Sequence, residues 1–227
     1  MKYSAIITDI EGTTSRISFV TQVLFPYAAR ELPAFIMQHA SESAVAKQLA
    51  ECRNLMQQDD ASLGAVIAQL QQWITEDKKV TPLKALQGMV WQQGYESGAF
   101  TGHVYPDVFE ALKRWQQQGV KLFVYSSGSI QAQQLLFKYS DFGDMTSLFS
   151  GYFDTRVGAK REMSSYAAIL QHLQLPPKQV LFLSDVVAEL DAAAPLGIGT
   201  MQLIREGQVA GSHTIAHNFN DVEELIA

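Results

Sequence analysis

The sequence has one cysteine, Cys52, among 227 residues, so no intrachain disulfide can form and a reducing compartment is expected. No stretch approaches the ~18 consecutive apolar residues of a membrane span. The opening Met1-Lys2-Tyr3-Ser4-Ala5-Ile6-Ile7-Thr8-Asp9 holds too short an apolar run for a signal segment and leads straight into acidic residues. No Asn-x-Ser/Thr acceptor occurs. Together these absences predict a soluble, cytoplasmic protein with no membrane partner. Charge is sparse as well: 18% of residues are charged, and 17 basic against 23 acidic residues leave a net charge of −6. No basic face is evident to neutralise the phosphates of a nucleic acid, so no nucleic-acid partner is expected. His39, His103, His172, His213 and His217 show no HExxH or Cys/His spacing, so a zinc site is not expected.

What is present is a chain that can bury a core without staples, since 47% of it is hydrophobic. At ~150 residues per domain, its length suits one large domain or two modest ones. The 22 glutamines are expected to fill many solvent-facing positions that Lys and Glu would usually take. Short apolar runs at Ala5-Ile6-Ile7, Val120 to Tyr125 and Val180 to Leu183 each end in small polar or acidic residues and read as buried parallel strands. Gly199 to Ile204 reads as a fourth strand. Residues following such strands gather at the carboxyl edge of one sheet, where open α/β folds bind ligands.

Between the first two strands the pattern changes. Leu63, Val66, Ile67, Leu70, Trp73 and Ile74 lie on one face of a helix. Thr81-Pro82 reads as the next helix start, a hydroxyl N-cap followed by proline, and Leu83, Leu86 and Val90 continue at helical spacing. Residues 16–105 are therefore expected to form an all-helical insertion, with 1–15 and 106–227 forming an α/β catalytic core. The insertion is nearly balanced in charge, with 7 basic and 8 acidic residues, whereas the remainder holds 10 and 15. Cys52, Trp73, Trp91 and Trp115 read as packing residues.

Four groups could do chemistry. Asp9-Ile10-Glu11-Gly12-Thr13-Thr14 places two carboxylates just past a strand, although such a string alone also suits a polar turn. Ser126-Ser127-Gly128-Ser129 offers hydroxyls and free N–H groups at a helix start, suited to an anion or to ordinary capping. Lys160 could neutralise a phosphate, and by itself reads as a solvated lysine. Asp185 follows a strand with Glu189 one helical turn on, as an N-cap carboxylate also would. The set is more specific than its members. Asp9 and Asp185 brought close would repel unless a cation lay between them, and oxygen-only ligands suit Mg2+. That combination predicts phosphoryl transfer from a phosphate monoester.

These four elements, in this order, resemble the signature motifs of the haloacid dehalogenase superfamily phosphatases. The resemblance implies a Rossmann-like parallel-sheet core plus a helical cap that closes over the site. It implies Asp9 as nucleophile, forming an aspartyl phosphate, and Glu11 as general acid/base where most of the superfamily's phosphatases carry Asp. Asp9-Ile10-Glu11-Gly12-Thr13-Thr14, Leu24-Phe25-Pro26-Tyr27, Tyr125-Ser126-Ser127-Gly128-Ser129 and Gly151-Tyr152-Phe153-Asp154-Thr155 resemble the enolase-phosphatase (acireductone synthase) family of methionine salvage. Carried over, one Mg2+ per subunit would bind the Asp9 and Asp185 side chains and the Glu11 carbonyl. Ser126, Ser127, the Gly128 amide and Lys160 would hold the phosphate, and Lys160 counts among the catalytic residues. Glu189 matches a second acid of the fourth motif and reads as an outer group, while Ser184 replaces a glycine common in the superfamily. The expected partner is a small-molecule phosphate and the expected state a monomer. A Mg2+-dependent phosphatase of the same superfamily, acting on a small sugar or organic-acid phosphate, is the alternative. A phosphoacceptor signalling domain fits poorly, because it lacks an insertion of this size.

Overall fold

The structure, a computed structural model, describes residues 3–76, 78 and 80–226. The chain divides into two compact units, Met1–Phe19 with Thr101–Ala227, and Val20–Phe100. The divisions fall four and five residues from the expected 15/16 and 105/106 boundaries, because Ile17–Phe19 (α1) and residues 101–105 group with the sheet unit.

The first unit is built on a six-stranded, wholly parallel sheet in the order β3-β2-β1-β4-β5-β6. The strands are β1 (Ala5–Thr8), β2 (Lys121–Tyr125), β3 (Gly151–Phe153), β4 (Val180–Ser184), β5 (Gly199–Leu203) and β6 (Thr214–Ala216). The four expected strands are present. β3 and β6 were not expected, and each has only three residues. Alternate residues Ala5, Ile7, Phe123, Tyr125, Val180 and Phe182 share one cluster with Tyr166, Ile169, Leu190 and Ala193. Ile6, Leu122, Val124, Leu181 and Leu183, between them, are buried as well. Burial on both faces explains why these strands read as continuous apolar runs rather than alternating ones. Helices α6 (Pro106–Gln117), α7 (Ile130–Lys138), α8 (Met163–Leu173), α9 (Val187–Ala193) and α10 (Phe219–Ile226) complete the unit. Trp115 of α6 stacks on Phe219 of α10 with ring centroids 5.3 Å apart.

The strand order places the functional edge. From β1 the chain steps to β2 and β3 on one side, then crosses to β4 on the other, so the order reverses between β1 and β4. Open α/β sheets bind ligands at such a switch point, outside the carboxyl ends of the strands. β1 and β4 run in register there, Thr8 beside Leu183, and the Asp9 N–H donates to the Leu183 carbonyl at 2.9 Å. Asp9 and Asp185 are therefore carried to the same crevice by backbone pairing alone.

The second unit is all helical, with α2 (Phe25–His39), α3 (Ser43–Met56), α4 (Leu63–Thr75) and α5 (Thr81–Glu96). Its own core holds Leu32, Ile36, Leu49, Cys52, Val66, Leu70, Trp73, Leu86 and Val90. Burying each such leucine contributes roughly 1.5–3 kcal/mol. Trp91 is half-buried and donates its indole N–H to the Leu24 carbonyl at 2.8 Å. The start of α5 needs one correction. Its N-cap is Val80, not Thr81, and no side chain caps it. Val80 supplies the extended conformation (φ −86°, ψ 144°), so Thr81 and Pro82 fill the first turn, where helix N–H groups have no intrahelical acceptor and a missing donor costs nothing. Among the described residues no helix is long and apolar enough to cross a membrane.

Candidate active site

Asp9 leaves β1 buried, with only 3% of its surface exposed. Its Oδ1 accepts the Ile10 N–H at 2.8 Å and pairs with Lys160 Nζ at 2.6 Å. Both contacts fall on one oxygen, which leaves Oδ2 as the chemically available one. The following loop is tight: the N–H groups of Thr13, Thr14 and Ser15 all turn back to the Ile10 carbonyl. Gly12 makes that turn possible at φ +75°, and a Cβ on it would run into the Asp185 carboxylate. Here glycine serves a close approach as well as a positive φ.

Lys160 is not the solvated lysine that its loop suggests. Its side chain is 5% exposed and bridges Asp9 to Glu189 Oε2, the latter at 2.7 Å. Its backbone carbonyl accepts from the Tyr166 hydroxyl at 2.7 Å, which fixes the root of the side chain. Burial works to lower its pKa, but Asp9 and Glu189 more than offset this and hold it above the ordinary lysine value. Ser184, the residue replacing glycine, gives its hydroxyl to Glu189 Oε2 at 2.8 Å and accepts the Val186 N–H at 3.1 Å. Glu189 therefore does not cap α9. It is the second carboxylate of a buried Asp9–Lys160–Glu189 array, and burial with the Asp9 charge raises its pKa.

Glu11 lies two residues past Asp9, and its Oε2 accepts from the Ser126 hydroxyl at 3.4 Å. Desolvation, then the Asp9 charge, pushes its pKa up to about 7. A carboxyl poised there can both give and take a proton near neutrality. Ser126 is buried, and its Oγ also accepts the Gly128 N–H at 3.1 Å, whereas Ser127 is exposed at the loop tip. Ser129 caps α7, accepting from Ala132 N at 3.2 Å. The buried Gln133 clamps this loop to β3 by donating to the Gly128 and Phe153 carbonyls at 2.8 and 2.9 Å. Asp154, just past β3, accepts the Ile130 N–H at the start of α7 at 3.2 Å.

Asp185 bears on the metal. Its pKa is raised to about 6, by burial first and then by the Asp9 charge. Oδ2 accepts from Gln208 Nε2 at 3.3 Å, while Oδ1 is buried with no partner. A buried carboxylate oxygen without a donor, beside a second carboxylate, is the arrangement a divalent cation would relieve. Among the described residues no three His, Cys, Asp or Glu side chains converge as metal ligands. The expected set is two side chains and a backbone carbonyl, and the donors present are all oxygens, so these residues fit Mg2+. A cavity of about 500 Å3 near β3, lined by Tyr152, Asp154, Arg156, Val157 and His172 among others, contains none of Asp9, Glu11, Lys160 or Asp185.

Asp9, Glu11, Ser126, Lys160 and Asp185 are thus brought together. Gln133, Gln202 and Gln208 are the residues that sequence reasoning missed. Gln87, Gln133 and Gln202 are buried, among the glutamines that do not face solvent.

Comparison with known proteins agrees with this geometry. The haloacid dehalogenase-like hydrolase family model matches residues 3–197. The chain is 58% identical to an enolase-phosphatase E1 of Pseudomonas aeruginosa, covering 98% of this chain and 99% of that one. It is 56% identical to an enolase-phosphatase E1 of Pseudomonas syringae, covering 96% of each. Among solved structures, the UTR4 protein of Saccharomyces cerevisiae superposes with a TM-score of 0.82 at 38% identity, covering 96% of this chain and 98% of that one.

Proposed function

The chain belongs to the haloacid dehalogenase-like hydrolases, and from that premise we propose that it catalyses the enolase-phosphatase reaction of methionine salvage. The substrate is 2,3-diketo-5-methylthiopentyl-1-phosphate, and the products are the acireductone 1,2-dihydroxy-3-keto-5-methylthiopentene and phosphate. The observation that carries the reading is the strand-end Asp9, with one oxygen held by Lys160 and Ile10 and the other left for attack.

In phosphoryl transfer Asp9 Oδ2 bonds to phosphorus as the ester P–O bond breaks. Glu11, with its raised pKa, gives the leaving oxygen its proton. The carboxylate so formed then takes a proton from water as that water attacks the aspartyl phosphate, which frees Asp9 and releases phosphate. Lys160 holds Asp9 in place and offsets negative charge as it accumulates beside the transferring group. The Ser126 hydroxyl and the loop through Gly128 supply donors for the phosphate oxygens, with Gln133 locking the loop. Mg2+ held by Asp9, Asp185 and the Glu11 carbonyl would offset charge on the phosphoryl oxygens and polarise the substrate carbonyl. Enolisation precedes phosphoryl transfer, and Glu11 is the proposed proton carrier beside the acidic C–H. One chain supplies all these groups, which supports a monomer as the working unit.

The test is to supply the diketone phosphate and follow released phosphate together with ultraviolet absorbance of the enediol. Both signals should rise in equal amounts and require Mg2+. Phosphate without the enediol would favour a general phosphatase of the same fold.

A further inference from the structure

Asp185 has only one oxygen to offer a ligand, and a glutamine outside the recognised motifs decides which. Oδ2 accepts from Gln208 Nε2 at 3.3 Å and is walled on another side by Gly12, where even a Cβ would collide with it. Oδ1 is the buried oxygen without a partner. The Gln208 amide is held in one orientation, because its Oε1 accepts the backbone N–H groups of Arg205 and Glu206 at 2.9 and 2.8 Å. That leaves Nε2 turned toward Asp185.

The loop carrying Gln208 is itself tied down. Gln202, fully buried on β5, donates to the Val209 carbonyl at 2.9 Å and accepts the Gly211 N–H at 2.8 Å. The same Nε2 reaches the Asp185 carbonyl at 3.4 Å. Arg205 joins the loop to the nucleophile turn through the Thr13 carbonyl at 3.2 Å. Its guanidinium is fixed by Asp107 at 3.0 and 2.8 Å. Glutamine is suited to this bridge because its amide accepts at one end and donates at the other.

We propose that Gln208 is a positioning residue that confines Asp185 to one-oxygen coordination and so sets the site's preference for Mg2+ over Ca2+. The proposal rests on the metal reading given above. Ca2+ takes six to eight oxygens at longer distances and readily accepts both oxygens of a carboxylate, whereas Mg2+ demands a compact octahedron. A donor fixed on Oδ2 withholds the second oxygen, which penalises Ca2+ and leaves Mg2+ unaffected.

The experiment is calorimetric titration of metal-free, full-length protein with MgCl2 and with CaCl2, for wild type, Gln208→Met and Gln208→Glu. Gln208→Met removes the donor. Gln208→Glu also removes it, but keeps an oxygen to accept the Arg205 and Glu206 amides and so preserves the loop. Its added charge acts on both ions, so the readout is the ratio of affinities. The Mg2+:Ca2+ ratio should fall about tenfold in each variant. A ratio unchanged in the folded variants would overturn the proposal, as would equal weakening of both ions, which would assign Gln208 to loop integrity. Failure of both variants to fold would overturn it in the same way. Wild type that binds no Mg2+ would overturn the metal reading itself, a result distinct from Mg2+ binding with an unaltered ratio.

Discussion

Replacing Lys160 with methionine removes the only side-chain cation paired with Asp9 and Glu189 among the described residues. Both carboxylates are under 10% exposed and lie 2.6 and 2.7 Å from the ammonium. Breaking a buried pair by deleting one partner costs about 3–5 kcal/mol, because a charge is left uncompensated. Each carboxylate keeps one other donor, Ile10 N–H for Asp9 and the Ser184 hydroxyl for Glu189, both at 2.8 Å. The loss should therefore sit near the lower end, ~3 kcal/mol, which for a chain of this length lowers Tm by roughly 6–12 °C. The assay is thermal and urea unfolding in EDTA at pH 8. Adding Glu189→Gln removes one of the stranded charges and should recover about half of the loss. Unfolding of Lys160→Met within about 1 kcal/mol of wild type, or further destabilisation by Glu189→Gln, would refute the reasoning.

Gly12→Ala puts a Cβ at φ +75° and against the Asp185 carboxylate, so it should cost about 1–2 kcal/mol in unfolding free energy. By displacing that ligand it should also weaken Mg2+ binding at least about tenfold in calorimetry. Asp185→Ala should raise the Mg2+ concentration needed for half-maximal phosphate release by more than about tenfold, and unchanged dependence would move the ligand to Glu189. Glu11 and Asp185 have folded pKa values raised to about 7 and about 6, so the native state keeps protons that the unfolded chain has already lost. The stability this contributes at low pH is lost as pH rises through 6–7. Metal-free Tm should carry that downward contribution, and Asp185→Asn and Glu11→Gln should each flatten it.

Much of the sheet was legible because β1, β4 and all of β2 past Lys121 are mostly apolar runs buried on both faces. β3 and β6 were not, because three residues with half-exposed members carry no periodic signal. Asp9 and Asp185 stood out as acids at strand ends, and parallel register then brings them to one crevice without further information. Lys160 was legible only as a member of the set. Its ion-pair partners Asp9 and Glu189 are both distant in sequence, and nothing in Val157-Gly158-Ala159-Lys160 encodes them. Gln208 was invisible for the same reason, since a glutamine in a polar loop carries no pattern until its two amide ends are seen to be engaged.

The central claim is that Asp9 is the nucleophile and that phosphoryl transfer follows enolisation. It is tested most directly by single-turnover NMR on the diketone phosphate, following carbon and phosphorus together, with Asp9→Asn in excess Mg2+. The variant lacks a nucleophile but keeps Glu11, so it should accumulate a phosphorylated enol and release no phosphate. Phosphate release by Asp9→Asn at a rate near that of wild type, or a dephosphorylated diketone preceding any enol in the native enzyme, would contradict the account.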